Sequence, residues 1–129
     1  MSRPTGVVVL GTLYIIAGIV WLIFAIVFGV ISSGLLGGTF SGGGEIVVGI
    51  IAGIAAIVAA FEFIIAAALF IGKDWGRIIV IVFAIIDLLA ESASIVAGNF
   101  FAFVLIILDL VVLYYMWRPH VIEYFQAKN

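Results

Sequence analysis

The 129-residue chain has no cysteine, a single histidine, two prolines and few charges. Without cysteine there is no disulfide exchange, no thiolate nucleophile and no sulfur-ligated metal. With His120 alone, one chain cannot build a two-histidine haem or zinc site. Seven Asp and Glu against five Lys and Arg leave a net charge of −2, which offers no basic patch for nucleic acid. Charged residues make up 9% of the chain, where soluble domains carry about 25%. A water-facing surface cannot be assembled from so few, and a soluble enzyme is excluded. No nucleophile with its base, no phosphate loop and no metalloprotease motif occurs, so no enzymatic activity and no cofactor is expected.

What the chain does have is apolar surface: 67% hydrophobic residues and a mean hydropathy of +1.52. That composition excludes disorder, and the absence of a glycine period or charged heptads excludes collagen and coiled coil. Four apolar runs approach the roughly 20 residues needed to cross a bilayer: 6–31, 46–71, 78–97 and 100–117. The first is far longer than the apolar region of a cleavable signal and is expected to remain as a helix. The expected fold is an all-α membrane protein, a single four-helix bundle. Its connections are a Gly/Ser-rich loop at 32–45, a basic loop GKDWGR, a two-residue turn Gly98-Asn99 and a tail at 118–129.

All five basic residues fall on one side of that topology: Arg3, then Lys73 and Arg77, then Arg118 and Lys128. The positive-inside rule makes that side cytoplasmic, with both termini inside and the glycine loop outside, in the cell (plasma) membrane. Lys73, Trp75, Arg77, Trp117 and Arg118 read as interface anchors, with Tyr124 in the same aromatic belt; Phe40, Phe100 and Phe101 mark the outer boundary. Basic residues in the GKDWGR loop could also hold an anionic lipid headgroup. Arg118-Pro119 ends the last span. The tail HVIEYFQAKN is either a short amphipathic turn on the headgroup layer or frayed. Two residues between the third and fourth runs make them antiparallel neighbours. Small residues at helical spacing, Gly18, Ala25 and Gly29 in the first run and Gly49, Gly53, Ala56 and Ala60 in the second, mark packing faces within the chain or between chains.

Four carboxylates lie inside the apolar runs: Glu62, Asp87, Glu91 and Asp109. No Lys, Arg or His lies in any run to neutralise them, and each costs roughly 2.5 to 3.5 kcal/mol at a helix centre. Glu62 precedes Lys73 by eleven residues, Asp87 follows Arg77 by ten, and Asp109 precedes Arg118 by nine. At about 1.5 Å per residue all three sit near the bilayer midplane, and Tyr14, eleven residues after Arg3, reaches the same level. Asp87, Glu91, Ser94 and Gly98 share one stripe of the third helix, whereas its other half reads Val80, Phe83, Ala84. The polar half points outward, as in a site entered from outside and closed below.

Asp87 and Glu91 are one turn apart and cannot both ionise cheaply, so these acids are expected to be protonated, to share protons or to bind a cation of unknown identity. Two readings stand. In one, Glu62, Asp87 and Asp109, with Glu91, Tyr14 and Ser94, bind or translocate protons or small cations. In the other, the protein is a non-catalytic structural or accessory component whose protonated acids hydrogen-bond between helices. Partners are the bilayer, protons or small cations, and a second copy of the chain, since one such bundle is thin for a pore; nucleic acid is not expected.

The stretches RPTGVVVLGTLYIIAGI, GKDWGRIIVIVFAIIDLL and LIILDLVVLYYMWRPHVIEYF resemble small four-helix (tetraspan) membrane proteins of bacteria and archaea whose function is unknown. The resemblance rests on the basic-Trp-x-Arg start of the third helix and on Asp109 ahead of Tyr114-Tyr115, and it omits the second helix. It implies a tetraspan fold in a prokaryotic membrane and no particular activity. Small multidrug transporters share the length and helix number, but their membrane glutamate lies in the first helix, where this chain has no acid.

Overall fold

The computed structural model describes residues 2–35 and 43–128, and every element among them is a helix. The order is α1 (Thr5–Ser32), α2 (Gly44–Ile71), α3 (Asp74–Val96), α4 (Ala102–Met116) and α5 (Pro119–Ala127). By length and apolarity α1, α2 and α3 can each cross a membrane. The fourth candidate is α4 and α5 taken together, a pair bent by 60°. Alone, the 15 residues of α4 span about 22 Å, short of a hydrocarbon core of about 30 Å. The fold is therefore a helical, multi-pass membrane architecture of three to four spans. The middle of the expected glycine loop, 36–42 with Phe40, lies outside the described residues.

The chain forms two compact units, Met1–Gly11 with Ala67–Asn129 and, separately, Thr12–Ala66. In the second, Phe63 lies over Gly18, where an added Cβ would come within 2.9 Å of its ring. Its buried stripe on α2 is Val48, Ala52, Ala55 and Ala59, at spacings of four, three and four that follow one helix face. Of the small residues expected to mark packing faces, Gly18 meets Phe63 and Gly49 meets Ser32, whereas Ala56 and Ala60 are exposed and Gly53 and Gly29 have open space around them within this chain. Both α2 stripes consist of small apolar residues, so hydropathy could not choose between them.

In the first unit, helix ends set the geometry. Gly72 has φ +75°; its N–H donates to Leu69 O at 3.2 Å, and that of Lys73 to Ala68 O at 2.8 Å. This is a Schellman closure, which needs a left-handed residue that glycine supplies without strain. Gly98, at φ +95°, closes α3 in the same way, through Gly98 N–H to Ile95 O and Asn99 N–H to Ser94 O, both 2.9 Å. The GKDWGR stretch, expected as a loop, is mostly the first turn of α3. Asp74 occupies that turn, where a carboxylate suits the helix dipole, and Arg77 Nε donates to Asp74 Oδ1 at 2.9 Å. Gly76 lets this turn lie against α2, since a Cβ there would stand 2.6 Å from Ala68 Cβ.

The tail is a packed helix. Arg118 is extended, with ψ 137°, as a residue before proline must be, and Pro119 opens α5 at a position where its missing N–H costs nothing. Val121, Tyr124 and Phe125 have no exposed surface. Tyr124 is therefore a core residue and not part of an interfacial belt: its hydroxyl donates to Phe70 O at 2.9 Å and lies 3.2 Å from Leu69 O. The sequence reading missed this because tyrosine at a span end suits a belt and a buried cap equally well. Gly76→Ala is expected to cost about 1 to 3 kcal/mol by overpacking. Gly53→Ala, made into open space, should be neutral or slightly stabilising. Thermal melting of the detergent-solubilised protein checks the contrast.

Candidate functional site

The α3–α4 hairpin brings the acids of its two helices together. The Gly98 closure sets the register: Asp109 lies ten residues beyond Asn99, between Glu91 at eight residues before it and Asp87 at twelve. Asp109 is also the central residue of α4, so it is as far from both helix ends as α4 permits. The side chains of Glu91 and Asp109 lie within hydrogen-bonding reach of one another, with Asp87 close enough to act on both through its charge. A carboxyl-to-carboxylate hydrogen bond requires one proton between two oxygens that would otherwise repel. One partner donates its O–H and the other accepts. Glu91 Oε2 is shut away from solvent, while Asp87 is exposed.

The serines beside these acids do not turn toward them. Ser94 Oγ donates to Ala90 O at 3.0 Å and Ser92 Oγ to Leu88 O at 2.7 Å, each hydroxyl satisfied one turn back on its own helix. In the other unit, Tyr14 and Glu62 line one cleft of about 200 Å³ with Leu13 and Ala17. The sequence placed those two at one level, and they share one wall. Among the described residues no three His, Asp or Glu side chains converge in a way that would hold a metal ion.

The anchors divide by role. Trp75 and Trp117 are exposed, at 44% and 62%, as rings in a headgroup layer would be. Lys73 is exposed too. Arg77 Nη1 donates to Met116 O at 3.4 Å, giving a partner to a carbonyl at the end of α4. Arg118 Nη1 donates to Tyr114 Oη at 2.8 Å, with its guanidinium 5.4 Å from the Tyr114 ring centroid.

Two structural pairs went unseen in the sequence. Arg3 Nε donates to Phe70 O at 2.8 Å, and Gly6 N–H donates to Tyr115 Oη at 2.9 Å. They link positions 67 and 109 residues apart, a separation that no local pattern encodes.

No family model, curated protein or solved structure matches the chain. The site is therefore argued from its own chemistry.

A double-mutant cycle with Glu91→Leu and Asp109→Leu, read by thermal or denaturant unfolding in detergent, should return a coupling of about 0.6 to 2 kcal/mol. Glu91→Gln, whose amide N–H can still donate to Asp109, should be milder than Glu91→Leu, which leaves Asp109 without its partner.

Proposed function

We propose that this chain is a plasma-membrane protein of the small tetraspan type, with both termini cytoplasmic, whose Glu91–Asp109 pair takes up and releases a proton within the membrane. The observation that carries this reading is the pairing of two carboxyls on adjacent helices, whose one cationic side chain, Arg77, is bonded to Asp74 in the first turn of α3. Such a pair holds one proton readily and resists losing it, because the second charge would then face the first in low dielectric. Glu91 lies nearer than Asp87 or Asp109 to the Gly98-Asn99 end, and protons exchange from that side, with Asp87 modulating the pair through its charge. The proton is the form of the proton-or-cation reading that a pair of carboxyls supports most directly. Glu62 and Tyr14 form a separate, weaker candidate for the same chemistry.

The same pairing supports the alternative reading, in which the acids only tie α3 to α4. The two differ in whether the proton moves. If it exchanges, the melting temperature of the parent should fall between about pH 4.5 and 8, as the shared proton is lost and the carboxylates repel. Glu91→Gln, whose amide donates at every pH, should flatten that dependence. A parent profile already flat across this range would leave the acids as fixed interhelical contacts. The topology has its own check: because the chain lacks cysteine, single cysteines at Ser33 and Gln126 should label from opposite faces in intact cells, Gln126→Cys only after permeabilisation.

A further inference from the structure

The C-terminal end of α2 faces a cavity of about 710 Å³ in the first unit. Its polar wall is Ser2, Arg3, Tyr124 and Lys128, and its apolar wall is Val8, Phe70 and Ile71. We propose that this cavity binds the phosphate of an anionic phospholipid, with the acyl chains running out over Val8 and Ile71. The inference rests on the membrane location alone and is independent of the proton reading.

Both cations are held in place by the fold. Arg3 is fixed by its bond to Phe70 O and by the Phe70 ring, 5.7 Å from its guanidinium. A guanidinium has five N–H donors, so most remain available to an anion after that one bond. The stem of Lys128 occupies the space above Gly72, where a Cβ would stand 2.6 Å from its Cγ; the missing side chain is what admits it. Among the described residues no carboxylate lines the cavity. Among the described residues the ion pair is Arg77 with Asp74, so neither Arg3 nor Lys128 is neutralised there.

A helix C-terminus ordinarily repels an anion, but here three of its last four carbonyls are occupied. Ala68 O, Leu69 O and Phe70 O accept from Lys73 N–H, Gly72 N–H, Tyr124 and Arg3. The positive charge of the wall is therefore left for a ligand. The apolar wall selects which ligand: Val8 and Ile71 are 38% and 55% exposed, and in a bilayer these surfaces meet acyl chains beside the two charges. An anion with hydrocarbon attached satisfies both walls, whereas a free phosphate satisfies one.

The test is binding to the full-length protein in neutral detergent, read by native mass spectrometry and by melting temperature. The probes are phosphatidylglycerol, phosphatidylcholine and soluble glycerol 3-phosphate. Phosphatidylglycerol should bind roughly thirtyfold more tightly than phosphatidylcholine, the preference expected of two basic residues, and should raise the melting temperature. Glycerol 3-phosphate at equal concentration should not. Arg3→Gln with Lys128→Gln should abolish the preference. Lys128→Gln alone leaves every helix cap intact and should lower it about fivefold. Lys73→Gln, outside the cavity, should leave it unchanged. Equal binding of both lipids, an equal shift with glycerol 3-phosphate, a preference undiminished in Lys128→Gln, or one surviving in the double variant would overturn the proposal.

Discussion

A hydrocarbon core contains no water, so a polar group left without a partner there costs several kcal/mol, and a helix hides its backbone only between its ends. Three kinds of group remain exposed to that cost in this chain: carbonyls at helix C-termini, serine hydroxyls and carboxyls. Among the described residues, members of each kind are met by a protein partner. The hydroxyls of Ser92 and Ser94 turn back onto their own helix. Arg77 reaches Met116 O, and Tyr124 and Arg3 reach the end of α2. The carboxyls of Glu91 and Asp109 turn to one another.

These partners also organise the first unit. Phe70 O accepts from Arg3, near the start of the chain, and from Tyr124, near its end. One carbonyl thus ties α2 to two segments far from it in sequence. The helix α5, too short to be stable alone, is held because Val121, Tyr124 and Phe125 are buried and Tyr124 is bonded. The α3–α4 hairpin is held by a glycine closure at its turn. Its two carboxyls are the polar groups in that hairpin that satisfy one another only by sharing a proton, which is why they carry the functional reading.

Much of this was legible in the sequence where one residue type permits one arrangement. Long apolar runs give helices, Gly98 gives a tight antiparallel turn, and proline after Arg118 gives a break. Acids at matched distances from flanking charges pointed to a midplane layer of Glu62, Asp87 and Asp109. Facing was harder to read, because helices apolar on all sides have no amphipathic stripe; the buried face of α2 runs through Ala52, Ala55 and Ala59, not Gly53, Ala56 and Ala60. Depth counted from the charges matched Asp109 with Asp87, whereas the turn register places it between Asp87 and Glu91, and it pairs with Glu91. The packing of α5 was illegible because Tyr124 reaches a carbonyl more than fifty residues away.

The central claim is that Glu91 and Asp109 hold one exchangeable proton between them. Infrared difference spectroscopy of the protein in lipid, in the region where protonated carboxyls absorb apart from carboxylates, tests it most directly. The account predicts a protonated-carboxyl band near neutral pH that disappears as pH rises, and that is absent when Glu91→Gln and Asp109→Asn are combined. A band that persists unchanged in that double variant, or carboxyls fully ionised throughout in the parent, would contradict it.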